Sequence, residues 1–340
     1  MAPKKKFDFD RKPLAVIVAA NYKGGVGKTT TSRVLVQGFA HFPEYHHGKP
    51  ILYIDLDPQG NTSKRWNLLE VIDEAGTKSP RPHPQLVLDG EENPRTSICD
   101  LWLELLEGGS SLEPVPYPSD SAQRLEDMNL IPKEEMQPIG NDFIHVVPND
   151  EALLVDIQSL KRGSEQAKQA AEILRQWLRS PELAEQYSFV VIDTPPTKTA
   201  IMDIVIHAAT HIYIPFQPEP QSVDGVLSMI SYFQTKVAAR RESEDLDLNF
   251  LGMLPNIVQK KTLIHQQQLN RIEDSPVLSK YLMRTPLDKA VAYPETDNWR
   301  NTPDQVFATK GTTPAIQATR FVKAVAQQVM EDRDSWERFA

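Results

Sequence analysis

The sequence predicts an α/β fold, in which a mostly parallel, twisted, Rossmann-like sheet is flanked by helices on both faces. Short apolar runs with β-branched centres alternate along the chain with segments typical of helices. A glycine-rich loop separates the first run from the first helical segment. Strands that alternate with helices pair in parallel, and the helices cover both faces of the sheet.

The predicted elements follow from these patterns in chain order. Continuous apolar runs indicate buried parallel strands, at 14–20, 51–54, 143–147, 189–192, 211–215 and 248–254. Helical patterns lie at 29 to about 42, 97–106, 167–178, from about 222, and from 313 to about 330.

The chain is predicted to form a single domain at 13–330. A flexible basic leader at 1–12 precedes it, and a tail at 331–340 follows it. Segments 76–95 and 108–140 are rich in Pro, Gly, Ser and acidic residues, which indicates insertions on the surface.

Composition excludes several classes of protein. The 340 residues are 40% apolar, enough for one large core, and no run approaches the length of a membrane span. The leader lacks the apolar segment of a secretory signal. A single cysteine, Cys99, makes neither an internal disulfide nor a thiolate metal site, so a cytoplasmic location is expected. With a net charge of −9, any DNA binding must rely on a local basic patch.

The glycine-rich loop has the pattern of a P-loop, which makes the predicted fold that of a P-loop NTPase. Its backbone N–H groups, at the N-terminus of a helix, would gather triphosphate oxygens, and glycines let the phosphates approach. Lys28 would supply a cation to the β- and γ-phosphates, and Thr29 would offer a hydroxyl to Mg²⁺. The predicted nucleotide-binding residues are Gly24, Gly25, Val26, Gly27, Lys28, Thr29 and Thr30.

A second lysine, Lys23, stands at the start of this loop. Two lysines at one phosphate site supply more charge than the site needs. We therefore expect Lys23 to reach the nucleotide of a second copy of the chain, so that dimerisation depends on ATP. The alternative is that Lys23 is a solvated loop residue.

Carboxylates follow two of the predicted strands. Strand alternation would put Asp55 and Asp57 on one side, where they suit contact with a metal shell and positioning of water. Pro58 and Gly60 then turn the chain. Asp193 ends the most apolar strand, as in a Walker B motif, and is expected to hold Mg²⁺.

With these three motifs the chain resembles the ParA/MinD group of deviant Walker ATPases, and most closely its ParA branch. The resemblance rests on residues 23–30, on 55–61 with its Asp-Pro-Gln-Gly-Asn ending, and on 189–196. It implies that Lys23 and Lys28 contact phosphates, that Asp57 positions the attacking water, and that Asp55 lies near the metal. It also implies that Asn256 lies near adenine. The cofactors implied are ATP or ADP with Mg²⁺.

The resemblance also implies the partners. ParA-like proteins form ATP-sandwich homodimers and bind DNA non-specifically, and a centromere-binding or cargo adaptor protein stimulates hydrolysis. Such a protein would be nucleoid-associated. The C-terminal third offers a candidate basic face that would contact phosphates without reading bases. Its candidate residues are Lys260, Lys261, Arg271, Arg284, Arg320 and Lys323.

Three other functions are possible for a chain with these motifs. A ParA-like ATPase that positions a protein cargo has the same motifs. A MinD-like membrane ATPase would end in a basic amphipathic helix, whereas residues 330–340 here carry several acids, so no membrane partner is expected. A nitrogenase-reductase-like protein needs more cysteines to hold an iron–sulfur cluster.

Overall fold

The computed structural model describes residues 14–66, 68–69, 81–82, 97–119, 143–242, 248–295 and 305–336. The predicted leader at 1–12 lies outside these ranges, as do most of the insertion at 76–95, the part of the second insertion from 120 to 140, and residues 337–340.

A seven-stranded sheet forms the centre of the molecule, in the order β3-β4-β2-β5-β1-β6-β7. All neighbouring strands pair in parallel except β3 and β4, which are antiparallel. The strands are β1 (Ala15–Ala19), β2 (Ile51–Asp55), β3 (Tyr117–Pro118), β4 (Ile144–Val147), β5 (Phe189–Asp193), β6 (His211–Phe216) and β7 (Asn249–Pro255). This arrangement confirms the predicted fold class.

Helices connect the strands and cover the sheet. They are α1 (Lys28–His41), α2 (Pro43–His46), α3 (Asn61–Arg65), α4 (Leu103–Glu107), α5 (Glu151–Ser159), α6 (Glu165–Leu178), α7 (Pro181–Gln186), α8 (Ala200–Ala208), α9 (Pro220–Glu242), α10 (Leu263–Glu273), α11 (Ala292–Glu295), α12 (Gln305–Ala308) and α13 (Thr313–Trp336). Two 3₁₀ helices cover Ile98–Trp102 and Ser279–Tyr281.

The central strands of the sheet are buried on both faces, which explains why they are largely apolar. In β1, Val16 and Val18 belong to one apolar cluster with residues of α6 and α8, such as Leu174. Ile17 belongs to a second cluster with residues of α1 and α13, such as Phe321. Successive side chains of a strand point to opposite faces, so a strand between two helical layers has no polar face.

Three elements differ from their predicted extents. The helix predicted at 97–106 begins as a 3₁₀ turn, in which the Ser97 hydroxyl accepts from the Cys99 N–H and the Asp100 carboxylate accepts from the Ser97 N–H. The predicted insertion at 108–140 contributes β3, an antiparallel edge strand. Helix α13 runs to Trp336, so the first six residues of the predicted tail are helical.

Within the described ranges, no helix combines the length and the apolar character needed to cross a lipid bilayer.

Candidate functional site: a nucleotide and magnesium site

The predicted site residues meet at one edge of the sheet, where the central parallel strands end. Strands β2 and β5 are neighbours, and their register places Asp55 directly beside Asp193. Strand β1 lies on the other side of β5, and the glycine-rich loop leaves from its end. Ligands of open α/β sheets bind at the carboxyl ends of the strands, so this edge is the expected location.

The glycine-rich loop forms an open cradle before helix α1. Gly25 and Gly27 have φ values of 71° and 85°, in the left-handed region that favours glycine. Gly24 and Gly25 are exposed, and a Cβ atom on Gly25 would have no neighbour within 4 Å. The loop at Gly25 therefore borders open space close to the start of α1, where the first N–H groups of a helix have no intrahelical partner and can bind phosphate.

Lys28 is the buried cation of the cradle. Its side chain is nearly inaccessible, and its Nζ lies 3.4 Å from the Lys23 carbonyl oxygen. Burial lowers the pKa of Lys28, and the charges of Asp193 and Asp57 oppose that change. The ammonium group therefore lies between the loop and the carboxylates, as a phosphate-binding lysine must.

Lys23 is only partly buried, and its side chain contacts the chain region after β6. Its Nζ donates to the Ser222 hydroxyl at 2.9 Å and forms an ion pair with Glu219 at 3.3 Å. Asn21 holds the backbone of Lys23, because its Oδ1 accepts from the Lys23 N–H at 2.9 Å. The two lysines of the loop thus have different surroundings.

Asp193 ends β5 and is fully buried. One carboxylate oxygen, Oδ1, accepts from the Thr194 N–H at 3.0 Å, while Oδ2 has no hydrogen-bond partner among the described residues. Burial raises the pKa of Asp193 to about 7, and the charge of Asp55 adds to that rise, while the Thr29 hydroxyl opposes it.

Asp55 ends β2 and is held by helix α3. Its Oδ2 accepts from both the backbone N–H and the hydroxyl of Ser63, at 2.9 Å and 2.7 Å. Its Oδ1 has no hydrogen-bond partner in the described part of the chain. Burial raises the pKa of Asp55 to about 6, although the bonds from Ser63 lower it.

Asp57 reaches the site from a turn, and not by the strand alternation that was expected. Strand β2 ends at Asp55, and Asp57 lies in the following turn, where its Oδ1 accepts from the Gln59 N–H at 3.1 Å. Burial raises the pKa of Asp57, while the Gln59 N–H and then the charges of Lys28 and Lys64 lower it. Both carboxylates still belong to the same edge of the sheet, but turn geometry places Asp57 there.

The oxygen atoms at this edge fit Mg²⁺. Two buried carboxylate oxygens, Asp55 Oδ1 and Asp193 Oδ2, lie on adjacent strands, and neither has a hydrogen-bond partner within the described ranges. The Thr29 hydroxyl lies near Asp193. The described residues hold no group of three or more acidic, His or Cys side chains placed to bind a metal together. Mg²⁺ does not need one, because it is usually held by one or two carboxylates, phosphate oxygens and water.

Asn256 follows β7 and contacts the cradle. Its Nδ2 donates to the Val26 carbonyl oxygen at 2.8 Å, and its side chain is buried. A Cβ atom on Gly27 would lie 2.2 Å from this Nδ2. Asn256 therefore packs under the loop and restricts position 27 to glycine, and its contact with adenine stays a prediction.

The six predicted DNA-binding residues have unequal surroundings. Lys260 is paired with Asp288 at 2.6 Å, and Arg284 lies 3.6 Å from Glu273. Lys323 lies over the ring of Phe42, with Nζ 5.7 Å from its centre. Lys261, Arg271 and Arg320 are exposed. The role of these residues stays a prediction.

Several residues that contact the site were not predicted from the sequence. Ser63 holds Asp55, Glu219 and Ser222 hold Lys23, and Asn149 holds the turn that carries Asp57. Asn149 follows a strand that ends at the site edge, a position that could have suggested a role. The other three depend on tertiary contacts that no local pattern indicates.

Comparison with known proteins identifies the family. The model of the AAA_31 family, described as an AAA domain, matches residues 14–247. The chromosome-partitioning ATPase Soj of Thermus thermophilus is 26% identical over 251 residues, which cover 74% of this chain and 72% of the relative. The chromosome partitioning protein ParA of Caulobacter vibrioides is 27% identical over 218 residues, which cover 64% of this chain and 61% of the relative.

Solved structures share the fold. McdA of Cyanothece, in its ATP complex, has a TM-score of 0.60 at 17% identity and covers 92% of this chain and 96% of its own. Cobyrinic acid a,c-diamide synthase of Mycobacterium smegmatis, with a bound ATP analog and magnesium, has a TM-score of 0.53 at 20% identity, and the match covers 84% of this chain and 93% of that one. With the family match over most of its length and a site that fits ATP or ADP with Mg²⁺, the chain belongs to the ParA family of P-loop ATPases.

Proposed function

We propose that this chain is a DNA-partition ATPase that dimerises on binding ATP, binds DNA non-specifically, and hydrolyses ATP when a cargo-bound partner stimulates it. The observation that carries the proposal is the presence of two lysines with different surroundings in one P-loop. Lys28 lies among the buried carboxylates, whereas Lys23 contacts Glu219 and Ser222 outside the cradle.

Different residues of the site would bind the phosphates, hold Mg²⁺ and orient the attacking water. The N–H groups of the loop and Lys28 bind and orient the phosphates of ATP. Asp55, Asp193 and Thr29 would hold Mg²⁺, which neutralises charge on the phosphate oxygens when bound. The Asp57 carboxylate, in its turn at the edge of the site, would orient the attacking water.

Lys23 has the reach and the charge for a second role. Its ammonium group is bound by a weak surface ion pair and one hydroxyl, and both can be exchanged for phosphate at little cost. A charge-assisted bond to the nucleotide of a second copy is stronger than either contact, because phosphate oxygens are strong acceptors. ATP binding would then favour the dimer.

The test is the oligomeric state of Lys23→Ala. With ATP and Mg²⁺, light scattering after size exclusion should show a dimer for the wild type and a monomer for the variant, while both bind ATP. Lys168→Ala, which removes an exposed lysine from α6, is the matched control and should dimerise normally. A Lys23→Ala variant that dimerises like the wild type would contradict the cross-subunit role.

Two other functions would use the same site. An ATPase that positions a protein cargo instead of DNA would need the same dimer. This function would be favoured if the intact ATP-bound dimer did not bind DNA.

A membrane-associated ATPase should sediment with anionic liposomes in the presence of ATP. We expect no sedimentation, because Glu331 and Asp332 near the end of α13 would be repelled by anionic lipid.

A further inference from the structure

Asn149 is a buried polar residue at the site edge to which neither the family motifs nor the proposed function gives a role. It follows β4, separated from the strand by Pro148. Its side chain is 1% exposed, and it faces the turn between β2 and α3 that carries Asp57. Its amide nitrogen is hydrogen-bonded to that turn, whereas its Oδ1 has no hydrogen-bond partner among the described residues.

The hydrogen bonds of Asn149 connect both acids of the β2 end to β4. Its Nδ2 donates to the Asp57 carbonyl oxygen at 2.6 Å. Its backbone N–H donates to the Ser63 hydroxyl oxygen at 2.9 Å, and that hydroxyl donates in turn to Asp55 at 2.7 Å. The side chain therefore holds the turn, while the main chain supports Asp55 through Ser63.

The amide also fills the space inside the turn. Gly60 has a φ of 58°, and a Cβ atom there would lie 3.0 Å from Asn149 Oδ1 and 3.1 Å from its Cγ. The turn is thus packed against the amide on one side and hydrogen-bonded to it on another. The turn is also closed by the Gly60 N–H, which donates to the Asp57 carbonyl oxygen at 2.8 Å. The one described hydrogen bond of the Asp57 carboxylate comes from Gln59 within the same turn.

We propose that Asn149 is a positioning residue for ATP hydrolysis, which fixes the turn so that the Asp57 carboxylate can orient water. The inference rests on the proposed role of Asp57. Groups that orient a nucleophile must be held to within a fraction of an ångström, and residues outside the reacting atoms provide that rigidity. Asn149 acts through the Asp57 backbone and has no contact with the phosphate cradle among its described hydrogen bonds.

The experiment compares Asn149→Ala and Asn149→Asp with the wild type in γ-phosphate release from saturating ATP and Mg²⁺. Both variants keep the main-chain N–H that supports Ser63. We expect kcat to fall about tenfold in Asn149→Ala, and at least as far in Asn149→Asp, where a carboxylate replaces the donor opposite the Asp57 carbonyl. The Kd for ATP should stay within about twofold, because the cradle is unchanged.

Gln176→Ala is the control, since it removes an exposed amide that donates to Glu172 on α6, and it should hydrolyse ATP like the wild type. Wild-type kcat in both Asn149 variants would overturn the inference, as would a loss of rate matched by an equal loss of folded protein or of ATP binding. The proposed function fails differently: Asp57→Ala would then turn over ATP as fast as the wild type, and the inference would fall with it.

Discussion

Single residues decide whether the phosphate cradle can form, and Gly27 shows this most directly. Its left-handed backbone strains any other residue, and the Asn256 amide occupies the place of a Cβ atom. Both restrictions come from the fold around one position. Only the first could be expected from the loop pattern, because the second depends on a residue more than two hundred positions later.

We predict that Gly27→Ala lowers the affinity for ATP at least tenfold, that is, by about 1.4 kcal/mol or more, because either the loop or Asn256 must move. Titration with a fluorescent ATP analogue measures this. Gly48→Ala is a matched control, because Gly48 has a similar φ of 79° but no neighbour within 4 Å of a Cβ atom. It should lose about 1 kcal/mol of stability and keep its affinity. Equal affinities for both variants would contradict the role of Asn256.

The raised pKa of Asp193 predicts how the stability of the protein depends on pH when no nucleotide or metal is bound. Its pKa is raised to about 7 in the folded state, so between about pH 4 and pH 7 the folded state holds a proton that the unfolded state has lost. The free energy of unfolding must therefore fall as the pH rises through this window.

Urea unfolding in EDTA at about pH 5 and about pH 7.5 tests the sign. Between these two pH values, the free energy of unfolding should fall on the order of 1–3 kcal/mol more in the wild type than in Asp193→Asn. Contributions from the histidines are the same in both proteins and cancel in the comparison. An equal loss in both proteins would show that Asp193 titrates normally.

At the scale of elements, the strands could be predicted closely and the turns could not. Strand β5 was predicted at 189–192 and spans Phe189–Asp193, because a strand buried on both faces is a continuous apolar run. Strand alternation does not explain the position of Asp57, which lies in a turn beyond the end of β2. Strand β3 was missed because two residues, Tyr117 and Pro118, carry no periodic pattern and pair only when β4 is present.

Helix termini also depend on distant side chains, as Arg240 in α9 shows. It is nearly buried, and one guanidinium nitrogen donates to the carbonyl oxygens of Ile206 and His207, both at 2.7 Å. These carbonyl groups lie in the last turn of α8, where no intrahelical donor remains for them. Arg240 thus caps α8 from another helix.

We predict that Arg240→Ala destabilises the fold by about 2–3 kcal/mol, since it leaves two carbonyl groups without their charged donor. Arg240→Lys should lose less stability, because its ammonium group can still donate a hydrogen bond to a carbonyl oxygen. Arg241→Ala, at the exposed neighbouring position, should change stability by no more than about 0.5 kcal/mol. Urea midpoints measure all three, and equal effects at 240 and 241 would refute the capping role.

The whole molecule has a net charge of −9, so DNA must bind to a limited surface. The structure distinguishes between the predicted basic residues. Lys260 and Arg284 already have acidic partners, whereas Lys261 and Arg271 are exposed and form no ion pair within the described part of the chain. The second pair should therefore contribute more to phosphate binding.

We predict that Lys261→Glu and Arg271→Glu each weaken ATP-dependent DNA binding and reduce the salt dependence of the affinity by about one ion. Fluorescence anisotropy with a random duplex at several salt concentrations measures both. Lys168→Glu on α6 carries the same charge change and should leave binding close to that of the wild type. DNA binding that is independent of nucleotide and salt would contradict the proposal.

The order of strands in the sheet has a consequence for synthesis on the ribosome. Strand β1 is made first, but both of its neighbours, β5 and β6, are made more than 170 residues later, beginning with Ala15 opposite Phe189. Until they emerge, β1 exposes two unpaired apolar edges, which invite aggregation. Nascent chains arrested before residue 189 should therefore need chaperones, and they should acquire protease resistance only after β6 has left the exit tunnel.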